Sequence, residues 1–403
     1  MKKSRFIFAC SFFFALGGNI LTFSIIYRLS DWFSFSTGQV GTFIAFGQIA
    51  FFLGCNIYYR IGSYFDPARV FSATAIVVLL ASIPLVLIRV EAVVYVSFCV
   101  LQLGTGCFWP PVSAWLVEGL DSKNVSREMS YFSRSWMFAN MIAPLIGGAL
   151  YRINSEINSF LLVFSYFIAV LFFYFMYRKK VLFKSSSLPV TAGYGLSSDP
   201  GAAPLAASAP ALQSRTIDVK LDIYRYQGWL SGFCSAILVG LLISIVPLHI
   251  RDGLGFTEWS AGMLLFIRCT AGFIGFSILA RFTSWHFNKY WFLIIQAGLI
   301  LVSILYILAG NSFLFFTFIV ILYGLVNSAC YNNSMFYSGT TGKDPKKNMA
   351  VHEICLCIGH AIGSAAGGFL YQNFGFSGTS FVFAIVMGLG MLVFVLLGRR
   401  AAD

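Results

Sequence analysis

The sequence predicts an all-α polytopic membrane protein of twelve transmembrane helices, arranged as two parallel six-helix pseudo-repeats. Three observations carry that expectation. The 403-residue chain is 58% hydrophobic and only 10% charged, where soluble domains are nearer half apolar and about a quarter charged. Twelve stretches are long enough to cross the hydrocarbon, which takes about 20 apolar residues per helix. The chain also resembles itself at a displacement of 220 residues. Closed barrels show only weak alternating segments of about ten residues, so the long apolar runs read as helices.

The first span, 6–28, follows MKKSR and carries Asn19. Its charged opening resembles a secretory leader, but the apolar run is too long and no small-residue cleavage site follows. The second, 38–59, carries Gln48 and Asn56, whereas the third, 69–89, has no amide, imidazole or charge in its centre. The fourth, 92–118, places Gln102, Gly106 and Trp109 at near-helical spacing and ends on Glu118. The fifth, 128–151, holds Arg134, Asn140, Pro144 and the pair Gly147-Gly148. Asn140, Ala143 and Gly147 share a face, which is expected to meet other helices rather than lipid. The sixth, 158–177, is apolar through its centre.

Residues 181–223 are rich in Ser, Pro, Ala and Gly and cannot bury enough surface to fold. They are expected to form a flexible cytoplasmic linker between an N-terminal bundle, 1–180, and a C-terminal bundle, 224–403.

The seventh span, 226–249, offers mainly Ser231, Ser235 and Ser244. The eighth, 257–280, has Arg268 near its middle, with Ala261, Ala271, Gly272 and Gly275 on the same face. Small residues let another helix approach closely, so Arg268 is expected to point inward. The ninth, 287–309, has only Gln296, and the tenth, 312–338, repeats Tyr323, Asn327 and Tyr331 every four residues. The eleventh, 348–371, sets Glu353 and His360 two turns apart on the face of Gly363 and Gly367; the twelfth, 377–398, is apolar. His352, nearer the cytoplasmic interface, is expected to be solvated.

The internal repeat is most visible where 127–151 overlies 347–371. Asn140 meets His360, Gly147-Gly148 meets Gly367-Gly368, and Leu150-Tyr151 meets Leu370-Tyr371. The same displacement puts Gly104 on Gly324 and Gln48 on Arg268. A constant offset over several helices points to a duplicated unit of one orientation.

The net charge of +12 reports topology rather than an acidic partner. With the N-terminus inside, 21 of the 27 basic residues fall in cytoplasmic segments. Arg28, Arg89, Arg152 and Arg251 fall in outer loops, and Arg134 and Arg268 fall within spans. This positive-inside bias sets both termini in the cytoplasm of a multi-pass protein of the cell (inner) membrane. All nine cysteines lie in spans and read as packing residues. No disulfide framework, metal site or cofactor is expected.

Ionisable residues inside a span are costly and mark a pathway, relay or partner. Arg268 reads either as a solute contact or as an internal salt bridge to Glu353 or Glu118. Glu353 and His360 read either as a proton-exchanging pair or as a structural hydrogen-bond network. The tyrosines and amide of the tenth span suit a sugar-like or aromatic solute.

Twelve spans in two parallel halves with a long central linker resemble the major facilitator superfamily over essentially the whole chain. Ala143-Pro144-Leu145-Ile146-Gly147-Gly148 looks like that family's G-P-x-x-G-G element, with Ala143 in place of the first glycine. The element is associated with exchangers and drug exporters. In the loop after the second span, GCNIYYRIGSYF (54–65) keeps Arg60 and Gly62 of the family's gating signature. Tyr59 stands where an aspartate belongs and the following basic pair is absent, so Asp66 and Arg69 are the residues left for a charge relay. The resemblance implies that helices 3, 6, 9 and 12 lie on the outside, as the polar census indicates independently.

The expected function is secondary active, proton-coupled symport of a small anionic or hydroxyl-rich organic solute by alternating access. Asn19, Gln48, Gln102, Trp109, Asn140, Arg268, Tyr323, Asn327 and Tyr331 are the candidate solute residues. Arg134, Glu353 and His360 are the candidates for proton coupling and gating. Drug or metabolite efflux is the alternative. An enzyme is not expected, because the four histidines are scattered and no catalytic set converges. A monomer in the bilayer is expected, with small-molecule substrate and H+ as partners and no nucleic acid.

Overall fold

Twelve helices account for nearly all of the computed structural model, which describes residues 3–117, 122–178, 219–279, 281, 284–341 and 345–400. The first six are α1 (Lys3–Phe33), α2 (Thr37–Ile61), α3 (Pro67–Leu87), α4 (Glu91–Val117), α5 (Ser122–Ile153) and α6 (Ser155–Arg178). Then come α7 (Val219–Ser244), α8 (Glu258–Leu279), α9 (Lys289–Leu308) and α10 (Phe313–Thr340). One helical run, Pro345–Arg400, breaks at Gly375 (φ 66°, ψ −173°) into α11 (345–374) and α12 (376–400). Ten stretches are long and apolar enough to cross a membrane, the last being the 51-residue Lys347–Leu397 that Gly375 divides. Among the described residues α5 is outside these ten; it opens on Lys123, Arg127 and Glu128.

Short polar residues set the helix limits. Ser36 and Gln39 cap α2 reciprocally, each backbone N–H donating to the other's side chain at 2.9 and 3.3 Å. Asp66 accepts from the Ala68 N–H at 3.1 Å with Pro67 opening α3, so this aspartate is a helix cap. Arg69 lies 4.0 Å from it. Asn154, Asn288 and Ser312 cap α6, α9 and α10 in the same way.

Two sequence expectations need correction here. Arg28 is not in an outer loop: α1 continues to Phe33, and Arg28 is fully buried (0% exposed) inside it. Arg251 is not in a loop either. After Ser244 the chain runs through a short helical turn, Val246–Leu248, into a π turn, His249–Gly253, which holds Arg251 half-buried. Most of the linker expected over 181–223 lies outside the described residues, and α7 already begins at Val219.

The helices form two compact units, one of residues 1–25 and 46–211, the other of residues 26–45 and 212–403. In the first, Phe14 and Phe108 stack at 3.6 Å, and Tyr166 and Phe173 close around them. In the second, Trp285, Phe292, Phe336, Tyr337 and Phe394 form an aromatic cluster. The internal repeat is visible in how glycines are used. Gly147 lets α5 lie on α1, where an added Cβ would come within 3.3 Å of Phe23. Its counterpart Gly367 lets α11 lie on α7, where a Cβ would come within 2.9 Å of Leu241. Large exposed apolar side chains lie on α3 (Leu80, Leu87), α6 (Phe160, Phe164), α9 (Ile294, Leu301) and α12 (Phe381, Leu389), and also on α2 (Phe46, Ile49), α10 (Leu314, Phe318) and α11 (Phe369).

The second unit includes the ends of α1 and α2. Arg251 donates to Asp31 at 2.9 Å and to Ser30 at 3.3 Å, with the Tyr27 ring 4.8 Å from its guanidinium. The Tyr27 hydroxyl donates to the Pro247 carbonyl at 3.4 Å, and Thr37 donates to the Gly368 carbonyl at 3.2 Å. Gly41 brings the α2 backbone against the Ser364 carbonyl with no room for a side chain. These contacts tie the α1–α2 connection to the turns that follow α7 and to α11.

Candidate functional site

Polar side chains gather in the middle of each unit. In the first, Asn19 of α1 donates its amide to Asn140 Oδ1 of α5 at 2.6 Å and to its own helix at the Ala15 carbonyl. Two candidates 121 residues apart thus form one amide pair. Pro144 and Gly147 lie on the same helix, where Asn158 of α6 donates to the Gly147 carbonyl at 3.0 Å and so ties α6 to α5. Trp109 sits edge-on to Phe14, Phe108 and Phe132. Gln48 and Gln102 are half-buried on α2 and α4. The side chain of Arg134, and Glu118 altogether, lie outside the described residues.

The second unit is built around the crossing of α8 and α10. Ala261, Ala271, Gly272 and Gly275 are all buried, as their shared face predicts. Gly324 of α10 packs directly on the Arg268 carbonyl of α8, and Gly275 packs on Ser328. This close crossing directs Arg268 inward. The guanidinium has Tyr306, Tyr323 and His360 within electrostatic reach, and its Nη2 donates to the neighbouring Cys269 sulfur at 3.3 Å. Its Nε is buried and makes no hydrogen bond. Neither Glu353 nor any other carboxylate pairs with it among the described residues. Of the two readings the sequence left open, the salt bridge to Glu353 is therefore not formed.

The stripe on α10 meets α7 through one residue, Ser235. The Tyr323 hydroxyl donates to the Ser235 carbonyl at 2.8 Å, and the Ser235 hydroxyl donates to Asn327 Oδ1 at 2.8 Å. Ser231 receives the Gln296 amide of α9 at 3.1 Å. The polarity of α7 is thus a set of sockets for neighbouring amides and phenols. Tyr331 lies edge-on to Phe276 and His352, with Glu353 within electrostatic reach.

On α11, His360 is half-buried and Glu353 is exposed. Gly363 and Gly367 of the same helix face α7. The expectation of a solvated His352 is wrong: it is fully buried (0% exposed) and shares a hydrogen bond of 2.7 Å with Ser334. His352 points about 100° around α11 from exposed Glu353, as consecutive helical residues do, and that turn carries it into the packed interior.

Sequence reasoning missed Tyr306. Its signal was the spacing of Gln296, Ser303 and Tyr306 along one face of α9, a helix assigned to lipid; all three are buried. It also missed His249, whose Nδ1 lies 3.0 Å from the Tyr371 hydroxyl and whose ring stacks on Phe376 at 4.1 Å. Among the described residues no three His, Cys, Asp or Glu side chains gather into a metal-binding group.

Among curated proteins, none matches the chain. Solved structures are similar over nearly its whole length. A bacterial homologue of the iron transporter ferroportin in an inward-facing state is 15% identical, with a TM-score of 0.73, covering 99% of this chain and 100% of that one. The nucleoside transporter NupG is 14% identical with a TM-score of 0.70, covering 98% and 99%. A POT family transporter in complex with 5-aminolevulinic acid is 12% identical with a TM-score of 0.79, covering 99% and 96%. At such identities the likeness speaks for the fold. A family model described as Major Facilitator Superfamily matches residues 7–343. Twelve helices, a repeated six-helix plan and that match together identify the chain as a member of the Major Facilitator Superfamily.

Proposed function

We propose that this protein is a proton-coupled secondary transporter of a small organic solute, anionic or hydroxyl-rich, working by alternating access between its two six-helix halves. The observation that carries the reading is Arg268, a cation in mid-helix with no carboxylate partner among the described residues. Uncompensated charge away from water is expensive, and a solute that brings a negative charge or acceptor oxygens offsets it. Asn19, Asn140, Gln48, Gln102, Trp109, Asn327 and Tyr331 are the further solute contacts; Tyr323 supports them through Ser235. Glu353 and His360 are the proton carriers, with Arg134 as a gating residue. The excess of basic residues in one set of loops supports insertion in the cytoplasmic membrane with both termini inside.

Alternating access requires an end that can close and open. The Asp31–Arg251 pair, with Tyr27 and Thr37, is the latch of the α1–α2 end. Because Asp31 is 43% exposed, its pair contributes only about 0.2–1 kcal/mol. Asp31→Asn is expected to raise the labelling rate of Thr37→Cys by an impermeant maleimide by roughly 2- to 5-fold. An unchanged rate would remove the latch.

Purified protein in proteoliposomes tests the main reading. An imposed pH gradient is expected to drive accumulation of labelled organic acids, and Glu353→Gln to abolish the response to the gradient. Accumulation without any response to pH would leave a uniporter. Export is the second reading, carried by Ala143-Pro144 and Gly147-Gly148. It predicts resistance to toxic compounds in cells that express the protein, with no uptake.

A further inference from the structure

His249 opens the π turn His249–Gly253 and pins it twice. Its carbonyl accepts from the Leu254 N–H at 2.9 Å, and its Nδ1 shares a hydrogen bond of 3.0 Å with the Tyr371 hydroxyl of α11. The imidazole lies flat on Phe376 of α12, at 4.1 Å and 7° between planes. A Cβ on Gly253 would stand 2.5 Å from Nδ1 and 3.1 Å from the Tyr371 hydroxyl, so this pair packs directly against the far end of the turn. The ring is half-buried, not sealed. Arg251, in the same turn, donates to Asp252 at 2.6 and 3.2 Å and to Asp31 of α1 at 2.9 Å.

Histidine changes charge between about pH 5 and pH 8. A neutral imidazole suits this place, where an apolar ring covers one face and a phenol meets Nδ1. Protonation makes both ring nitrogens donors and puts a second cation into a five-residue turn that already holds Arg251. The charged groups around it are Arg251 and Asp252 of the turn, Asp31 of α1, and Glu258 of α8, 3.9 Å from the guanidinium. The titratable phenols are Tyr371 of α11, Tyr27 of α1 on the Arg251 guanidinium, and Tyr306 of α9 behind Phe316 and Phe376. From α10 and α12 the ring meets Phe316 and Phe376. A charge held against apolar rings is costly. An imidazolium therefore leaves Phe376 for water or draws Asp252 away from Arg251. Either move displaces the turn that presents Arg251 to Asp31.

Resting on the alternating-access reading above, we infer that His249 is a proton-binding site at the α1–α2 end of the protein, and that a bound proton unlocks this end by shifting the π turn away from Asp31. The site is distinct from the proposed carriers on α11. His360, the nearer of them, lies roughly 16 Å before Tyr371 along that helix.

Cysteine accessibility in the purified full-length protein in detergent provides the test and requires no solute. Thr37→Cys reports on the α1–α2 end, and Asn311→Cys, in the exposed turn between α9 and α10, is the reference. Both are labelled by a maleimide at about pH 7.5 and about pH 5.5, and each site is quantified by mass spectrometry. Taking the ratio of the two rates removes the reagent's own pH dependence. That ratio is expected to rise roughly 2- to 5-fold on acidification, the range of one half-exposed ion pair. It is expected to stay flat in His249→Gln, which keeps a hydrogen-bonding group but takes no charge. Where His249→Gln gives no folded protein, Arg251→Gln replaces it and must also be flat, since no latch is left to unlock. A ratio that ignores pH in the native background, or one that rises as much in the variant, overturns the inference. Gradient-driven flux of labelled organic acids in proteoliposomes is scored separately. A flat ratio with flux retained removes the role of His249 alone, whereas a rising ratio with no flux under any gradient removes the transporter reading.

Discussion

Arg268→Met is expected to abolish solute flux while leaving the folded protein as stable as before, or more so. The two halves of this result have one cause. In the folded chain the guanidinium is half-buried, its Nε has no acceptor, and no carboxylate faces it among the described residues. Such a group destabilises its surroundings, and an apolar stem of similar length removes the penalty of about 1–3 kcal/mol for an unmatched donor. Once an anionic solute is bound, as the proposed function requires, the same guanidinium is half of an ion pair. Removing one partner of a buried pair costs about 3–5 kcal/mol, a loss on the order of 100-fold or more in affinity. A structural arginine would behave in the opposite way, lowering the melting temperature and sparing flux. Thermal unfolding and proteoliposome flux measured on one preparation decide between them; stability lost with flux retained would mean that Arg268 is a packing residue.

Gly363→Leu is expected to prevent accumulation of folded protein. The α7–α11 crossing is made by backbone resting on backbone. A Cβ on Gly363 would strike the Ile237 carbonyl oxygen and lie 2.7 Å from its carbon and 2.9 Å from its Cα. Gly240 and Gly359 make the same kind of contact with the His360 and Phe233 carbonyl groups. Backbone cannot rotate away as a side chain can, so the helices must separate. Apolar surface gives little drive for helices to associate in lipid, and close packing of small residues is what holds them. Overpacking already costs about 1–3 kcal/mol in soluble cores, and a rigid backbone contact lies at or beyond the upper end. Gly388 of α12 is the control, since nothing lies within 4 Å of an added Cβ. Gly388→Leu should give normal yield and melting temperature in detergent. Equal behaviour of the two variants would show that the crossing is loose.

Several functional assignments looked alike in the sequence and separated only in the fold. Asn19 and Asn140 read as two independent candidates, and the structure makes them one amide pair. Tyr323 and Asn327 read as a stripe facing solute, and both meet Ser235. His352 and Glu353 are adjacent in the chain, yet one is fully buried and the other exposed. Arg28 looked like a loop residue because the expected first span ends there, but α1 carries it five residues short of its own end. Arg268 is the instance where sequence and structure agree in detail, because the small residues that let α10 approach lie on its own face of the helix.

From the amino-acid order alone follow the class of the fold, the number of its helices and its repeated plan. Those are local or self-referring properties: a bilayer demands about 20 apolar residues with every backbone group bonded inside its own helix, and a duplication leaves its offset in the chain. What only the tertiary structure decided is which polar groups meet. Asn19 finds Asn140 across 121 residues, Ser235 finds Asn327 across 92, and Arg251 finds Asp31 across 220. Such partners depend on the rotation and crossing of whole helices, which close packing sets, and no window of sequence contains both members of the pair.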